Sequence, residues 1–149
     1  MTIKVPSINP RAISFVLFCA TLSTSALAQE FDRSLLSGEW VENDSTDFAC
    51  TGDKPHQRFE LSADGKTLVF KIDRKLPIAS GKIVDRYSAT VILATPKALV
   101  IDYNDTEGLP KGFPKSWELA FIAPGVYRWR ATDWPEGHVN RVVGVRCSQ

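Results

Sequence analysis

The chain has 149 residues, of which 44% are hydrophobic and 23% charged, with a formal net charge of +1 and three cysteines. That size makes one domain rather than two. The near-neutral balance leaves no electrostatic footprint for nucleic acid, and no segment after the N-terminal one holds the roughly 18 apolar residues a membrane span needs.

The count mixes two segments. Met1–Arg11 is mildly basic, Ala12–Leu22 is an uncharged apolar run, and Ala26-Leu27-Ala28 is a small-x-small cleavage site. This is the pattern of a removable export signal covering residues 1–28, and the apolar run is too short to cross ~30 Å of hydrocarbon as a helix. Cys19 follows Phe18, not the small residue that precedes a lipid-modified cysteine, so it is expected to leave with the signal. The first 28 residues carry Lys4, Arg11 and no acid, so residues 29–149 keep 16 Lys+Arg against 17 Asp+Glu, a balance of −1. The compact signal suggests a bacterial periplasm.

Two cysteines then remain, Cys50 and Cys147, with no Cys-x-x-Cys. In an oxidising compartment they allow one intramolecular pairing, so a structural disulfide is expected. It would bring the segment after the first strand beside the last strand.

In chain order, Phe31–Leu36 allows one short helical turn, and alternation dominates thereafter. Gly38–Glu42 opens the first strand around Trp40. Gln57–Ser62 alternates Phe59 and Leu61 with Arg58 and Glu60. Asp64-Gly65 is a turn, and Thr67–Asp73 alternates Leu68, Phe70 and Ile72 with Lys71. Ile83–Thr95 places Tyr87, Ala89, Val91 and Leu93 on one face. Lys97–Tyr103 turns Leu99, Ile101 and Tyr103 inward. Asn104–Pro114, with two prolines and two glycines, is a loop. Lys115–Ile122 carries Trp117, Leu119 and Phe121 on one face, Gly125–Thr132 carries Tyr127, Trp129 and Ala131, and Val139–Cys147 makes the last strand. Eight strands with one apolar face each predict an all-β, antiparallel, up-and-down barrel over residues 29–149, with a β-sandwich as the alternative.

Gly38-Glu39-Trp40, behind a short helical turn and at the start of the first strand, resembles the Gly-x-Trp signature of lipocalins. The resemblance implies that Trp40 closes one barrel end beneath an arginine from near the final strand. Arg141 and Arg146 are the candidates. Ile101-Asp102-Tyr103 is similar to the family's Thr-Asp-Tyr motif, with isoleucine in place of threonine. Small secreted inhibitor barrels share Gly-x-Trp. Bacterial metalloprotease inhibitors add a cysteine some ten residues later, as Cys50 follows Trp40, but their second cysteine lies much closer than Cys147 does.

Catalytic chemistry is not visible. The only histidines, His56 and His138, sit in polar turns outside any nucleophile motif, and read as solvated loop residues. Zinc-ligand spacing is absent. Asp102, Asp105 and Glu107 read as a solvated loop face, with Asp102 free to pair with an arginine at a strand end. No enzyme activity, metal or cofactor is therefore expected. The densest constellation is Trp129–Trp134. Arg130, Asp133 and Trp134 suit an interaction patch; alternatively Trp129 fills the core and Arg130 pairs with Asp133.

An eight-stranded barrel is just wide enough to be filled by side chains or to hold one small ligand. The inward set is bulky (Trp40, Phe59, Phe70, Tyr87, Trp117, Phe121, Tyr127 and Trp129), whereas Ala89 and Ala131 would leave room for a small apolar pocket. The leading expectation is a non-enzymatic binding protein of the cell envelope whose small apolar or aromatic ligand meets Tyr87, Tyr103, Trp117, Tyr127 and Trp129, with Arg86 or Arg130 at a rim. The alternative is an interaction module, such as an inhibitor of an exported hydrolase, that uses Asn104–Pro114 and Trp129–His138 on an envelope protein.

Overall fold

A computed structural model describes residues 30–44 and 50–147. The expected export signal, with Cys19, lies outside the described residues. Eight strands close into a single antiparallel barrel in which every sequence neighbour pairs and β8 returns to β1. They are β1 (Glu39–Asp44), β2 (His56–Leu61), β3 (Thr67–Pro77), β4 (Ile83–Thr95), β5 (Ala98–Tyr103), β6 (Ser116–Ala123), β7 (Val126–Ala131) and β8 (Val142–Cys147). The up-and-down topology follows from the turn chemistry, since Asp64-Gly65 and Pro124-Gly125 punctuate the chain where glycine supplies positive φ (72° at both glycines). Among the described residues no helix is long and apolar enough to cross a membrane.

Closure rests on the β1–β8 ladder, which runs in register from Glu39↔Cys147 to Asp44↔Val142. The Cys50–Cys147 disulfide is formed, across 97 residues of sequence. It sits on the outer side of this ladder, where Val41 and Val143 are buried although they face away from the barrel interior.

The interior is an aromatic column. Trp40 lies 5.1 Å from Tyr127, 5.7 Å from Phe121 and 6.1 Å from Phe59, ring centre to ring centre. Phe59 continues edge-on to Phe70, which stacks on Tyr87 at 4.4 Å. All eight expected inward aromatics point inside, and seven are buried; Tyr87 is half-buried. Each such ring removes about 150–250 Å² from water.

A 3₁₀ turn at Arg33–Leu36 plugs one end. Asp32 caps it by accepting from the Ser34 amide at 3.0 Å and the Ser34 hydroxyl at 2.7 Å. The Arg33 guanidinium ties it to the β2–β3 turn by donating to the carbonyls of Leu61, Ser62 and Ala63.

Three details differ from the sequence reading. Leu93 is exposed, because a bulge lets Val91 pair with Ile101 and Leu93 with the adjacent Val100, which turns Leu93 outward. The last strand begins at Val142, not Val139, which is exposed. Asn140 holds the approach by donating its amide to the Trp129 carbonyl at 3.0 Å and accepting from the Val142 amide at 3.1 Å. His56 opens β2 instead of sitting in a solvated turn. Its Nδ1 lies 3.3 Å from Glu39 Oε2, and its Nε2 lies 3.2 Å from the Thr51 carbonyl.

Candidate functional site

The two barrel ends are unlike. At the plugged end the Arg146 guanidinium lies 4.8 Å over the Trp40 ring and donates to the Leu35 carbonyl at 2.7 Å. Trp40 Nε1 donates to the Leu36 carbonyl at 3.3 Å. Of the two candidate arginines, Arg146 takes the position because β8 pairs it directly with Trp40; Arg141 is exposed before the strand begins.

The other end is open. β1 leaves β2 after only two register pairs, Trp40↔Gln57 and Val41↔His56, and β7 parts from β8 after Arg128↔Val143. The β3–β4 hairpin overshoots the barrel, and the Asn104–Pro114 loop leans on its tip. A Cβ at Gly108 would come within 2.7 Å of the Ser80 carbonyl, and Lys82 clasps the loop through Asp105 at 3.0 Å and Glu107 at 3.5 Å. Between these elements lies a cavity of about 520 Å³. Its apolar wall includes Ile72, Leu76, Tyr87, Tyr103 and Phe113; Gln57 and Glu42 supply polar groups.

Glu42 is the residue the sequence reading did not single out. It follows the buried Trp40 by two positions, so strand alternation turns it inward, yet it reaches solvent through the mouth. One carboxylate oxygen, Oε1, accepts from the Tyr127 hydroxyl at 2.9 Å and from Trp129 Nε1 at 2.7 Å. Gln57 in turn donates its side-chain amide to the Tyr127 oxygen. Burial pushes the Tyr127 phenol well above its ordinary pKa, and the charge of Glu42 adds to the shift. Tyr87 and Tyr103 are raised too, first by burial; Glu42 contributes to both. All three phenols are therefore held neutral.

The five expected ligand residues divide. Tyr87 and Tyr103 line the cavity. Tyr127 and Trp129 lie beneath it as donors to Glu42. Trp117 is elsewhere, packed between Phe113 at 5.8 Å and Trp134 at 5.5 Å, with its Nε1 donating to the Pro114 carbonyl at 2.9 Å. The expected interaction constellation is also dispersed. Arg130 pairs with Glu118 at 3.1 Å across β6–β7, not with Asp133. Trp134 is half-buried against Trp117 and His138, while Asp133 is exposed. Asp102 pairs with Lys115 at 3.1 Å, not with an arginine, and accepts from the Ser116 hydroxyl. Those contacts, the hydroxyl first, hold its carboxyl below the usual range. Among the described residues no group of three or more His, Cys, Asp or Glu side chains converges as a metal site would need.

The class these features define is a closed, eight-stranded antiparallel barrel with one plugged end and one open, cavity-bearing end. Its Trp40–Arg146 closure has the form that the lipocalin resemblance implies. No family model, curated protein or solved structure matches the chain.

Proposed function

We propose that this is an exported, non-enzymatic binding protein with a lipocalin-like barrel, and that it holds a small apolar or aromatic molecule in the open end. The observation that carries this reading is the cavity. Its volume of about 520 Å³ falls within the range of sites for small organic ligands, and its wall is mostly apolar with a few convergent polar groups. The basic, apolar and small-residue pattern of residues 1–28 supports export, and the periplasm is the compartment that best suits a Cys50–Cys147 bridge.

The test is displacement of the neutral dye N-phenylnaphthylamine from purified protein, with native mass spectrometry of the same sample. Saturable dye binding that falls on Leu76→Trp, a substitution filling the cavity from its wall, is the expected result. Absence of saturable binding, together with no retained small molecule, would overturn the proposal.

A further inference from the structure

Glu42 gives the cavity a chemical preference. Its Oε1 is occupied by Tyr127 and Trp129, whereas Oε2 accepts no hydrogen bond among the described residues. No Lys, Arg or His of the described residues forms an ion pair with Glu42. Among the described residues, the cavity wall contains two acids, Glu42 and Asp105, and no basic side chain. Asp105 is already neutralised at the rim by Lys82, and Lys54 is bonded to Asn43. Among the described residues the Glu42 carboxylate therefore has no counter-ion; it reaches solvent at the mouth, with one oxygen oriented by two buried donors and the other unengaged.

That arrangement suits a cation with an apolar body. An ammonium group would donate to Oε2 and pair with the charge, and the rings of Tyr87 and Tyr103 beside it would present electron-rich surface to the same cation. An anionic ligand would instead meet an uncompensated negative charge. A neutral molecule would bind by its apolar body alone.

Resting on the ligand-binding role proposed above, we infer that the mouth cavity selects a small aromatic or apolar amine, and that Glu42 is the residue that recognises its ammonium group. Tyr127, Trp129 and Gln57 act through Glu42 as positioning residues. They hold one carboxylate oxygen so that the other is presented to the ligand at little entropic cost.

The experiment compares three probes of one shape and different charge, namely tryptamine, tryptophol and indolepropionate, by calorimetric titration of the purified protein. A charged hydrogen bond to a carboxylate that is exposed to solvent predicts that tryptamine binds about fivefold tighter than tryptophol, with indolepropionate weakest. Glu42→Gln keeps an acceptor for Tyr127 and Trp129 but removes the charge. It should reduce the tryptamine preference to about twofold or less while tryptophol binding persists. Glu136→Gln, which removes an exposed acid that does not line the cavity, should leave the preference intact.

Equal binding of tryptamine and tryptophol by the unmodified protein would overturn the inference whether or not Glu42→Gln folds, and would leave the binding role standing. So would a preference that survives in a folded Glu42→Gln. If none of the three probes binds and the neutral dye also fails, the binding role itself falls and this inference falls with it. If the dye binds but tryptamine does not, only the amine preference is lost.

Discussion

The Tyr127 ring lies against the bare backbone of Gly144, so close that a Cβ built there would sit 2.0 Å from the ring's Cζ. The Gly144 backbone is not in the left-handed region, so its requirement is space and not conformation. That contact sets where Tyr127 stands, and Tyr127 in turn donates to Glu42. The ring cannot yield easily, since Trp40, Phe59, Phe121 and Trp129 all lie within 5.9 Å of it, centre to centre.

Gly144→Ala should therefore overpack the barrel, at a cost of about 1–3 kcal/mol. The expected readout is a lower urea midpoint with an unchanged slope. Gly52→Ala, at a position with open space around it, is the control and should be near neutral. Matching midpoints for the two variants would show that Tyr127 has another resting place.

Arg146 should matter more than its partly exposed position suggests. It combines the stack on Trp40 with a charged hydrogen bond to Leu35 of the plug. Arg146→Met should cost about 1–3 kcal/mol and speed hydrogen exchange in the Arg33–Leu36 turn. Arg141→Met, the alternative that the resemblance left open, should stay within about 0.5 kcal/mol of the native protein. Equal effects of the two substitutions would remove Arg146 from its role as the closing residue.

The fold was legible because its signal is periodic. Every expected strand exists, since alternation such as that of Phe59 and Trp117 with polar neighbours leaves only one face to bury. Errors fell where the period breaks. The bulge after Val91 reverses the parity of Leu93, and a bulge has no composition signal in one chain. The candidate site was half legible. Tyr87 and Tyr103 could be read from parity, and so could Glu42, two residues beyond Trp40. A carboxylate on an inward position was passed over because acids are expected outside. The cavity itself was not legible. It arises where β1 parts from β2 and the β3–β4 hairpin overshoots, which are consequences of register and not of residue type.

The disulfide acts mainly on the unfolded chain. In the native state the six-pair β1–β8 ladder already holds both strands together, so the bridge adds little new contact. In the chain-entropy model, removing a cross-link over a loop of this length costs about 4–5 kcal/mol. Reduction, or the double variant Cys50→Ala/Cys147→Ala, should lower stability by that order while leaving the β-sheet circular dichroism of the folded fraction intact. A loss below about 1 kcal/mol would mean that the unfolded chain is already compact. Thiol titration of the unfolded, unreduced, exported protein should find close to none.

Alkali should unfold the barrel through its tyrosines. The chain has three, Tyr87, Tyr103 and Tyr127, and burial raises the pKa of every one. In the unfolded chain a phenol ionises near pH 10. Because the folded values lie higher, the folded state keeps protons that the unfolded state has lost. Their stabilising contribution is complete below pH 10 and falls as pH rises above it, at up to about 1.4 kcal/mol per pH unit for each buried phenol. Tyrosinate absorbance should thus stay flat beyond pH 10 and then appear in one step together with loss of the circular dichroism signal. Glu42→Gln removes one of the contributions that raise the three phenols, so it should narrow the gap between their folded and unfolded values and make the loss of stability above pH 10 shallower. A tyrosinate signal with an ordinary midpoint in still-folded protein would show that at least one of the three rings meets water freely.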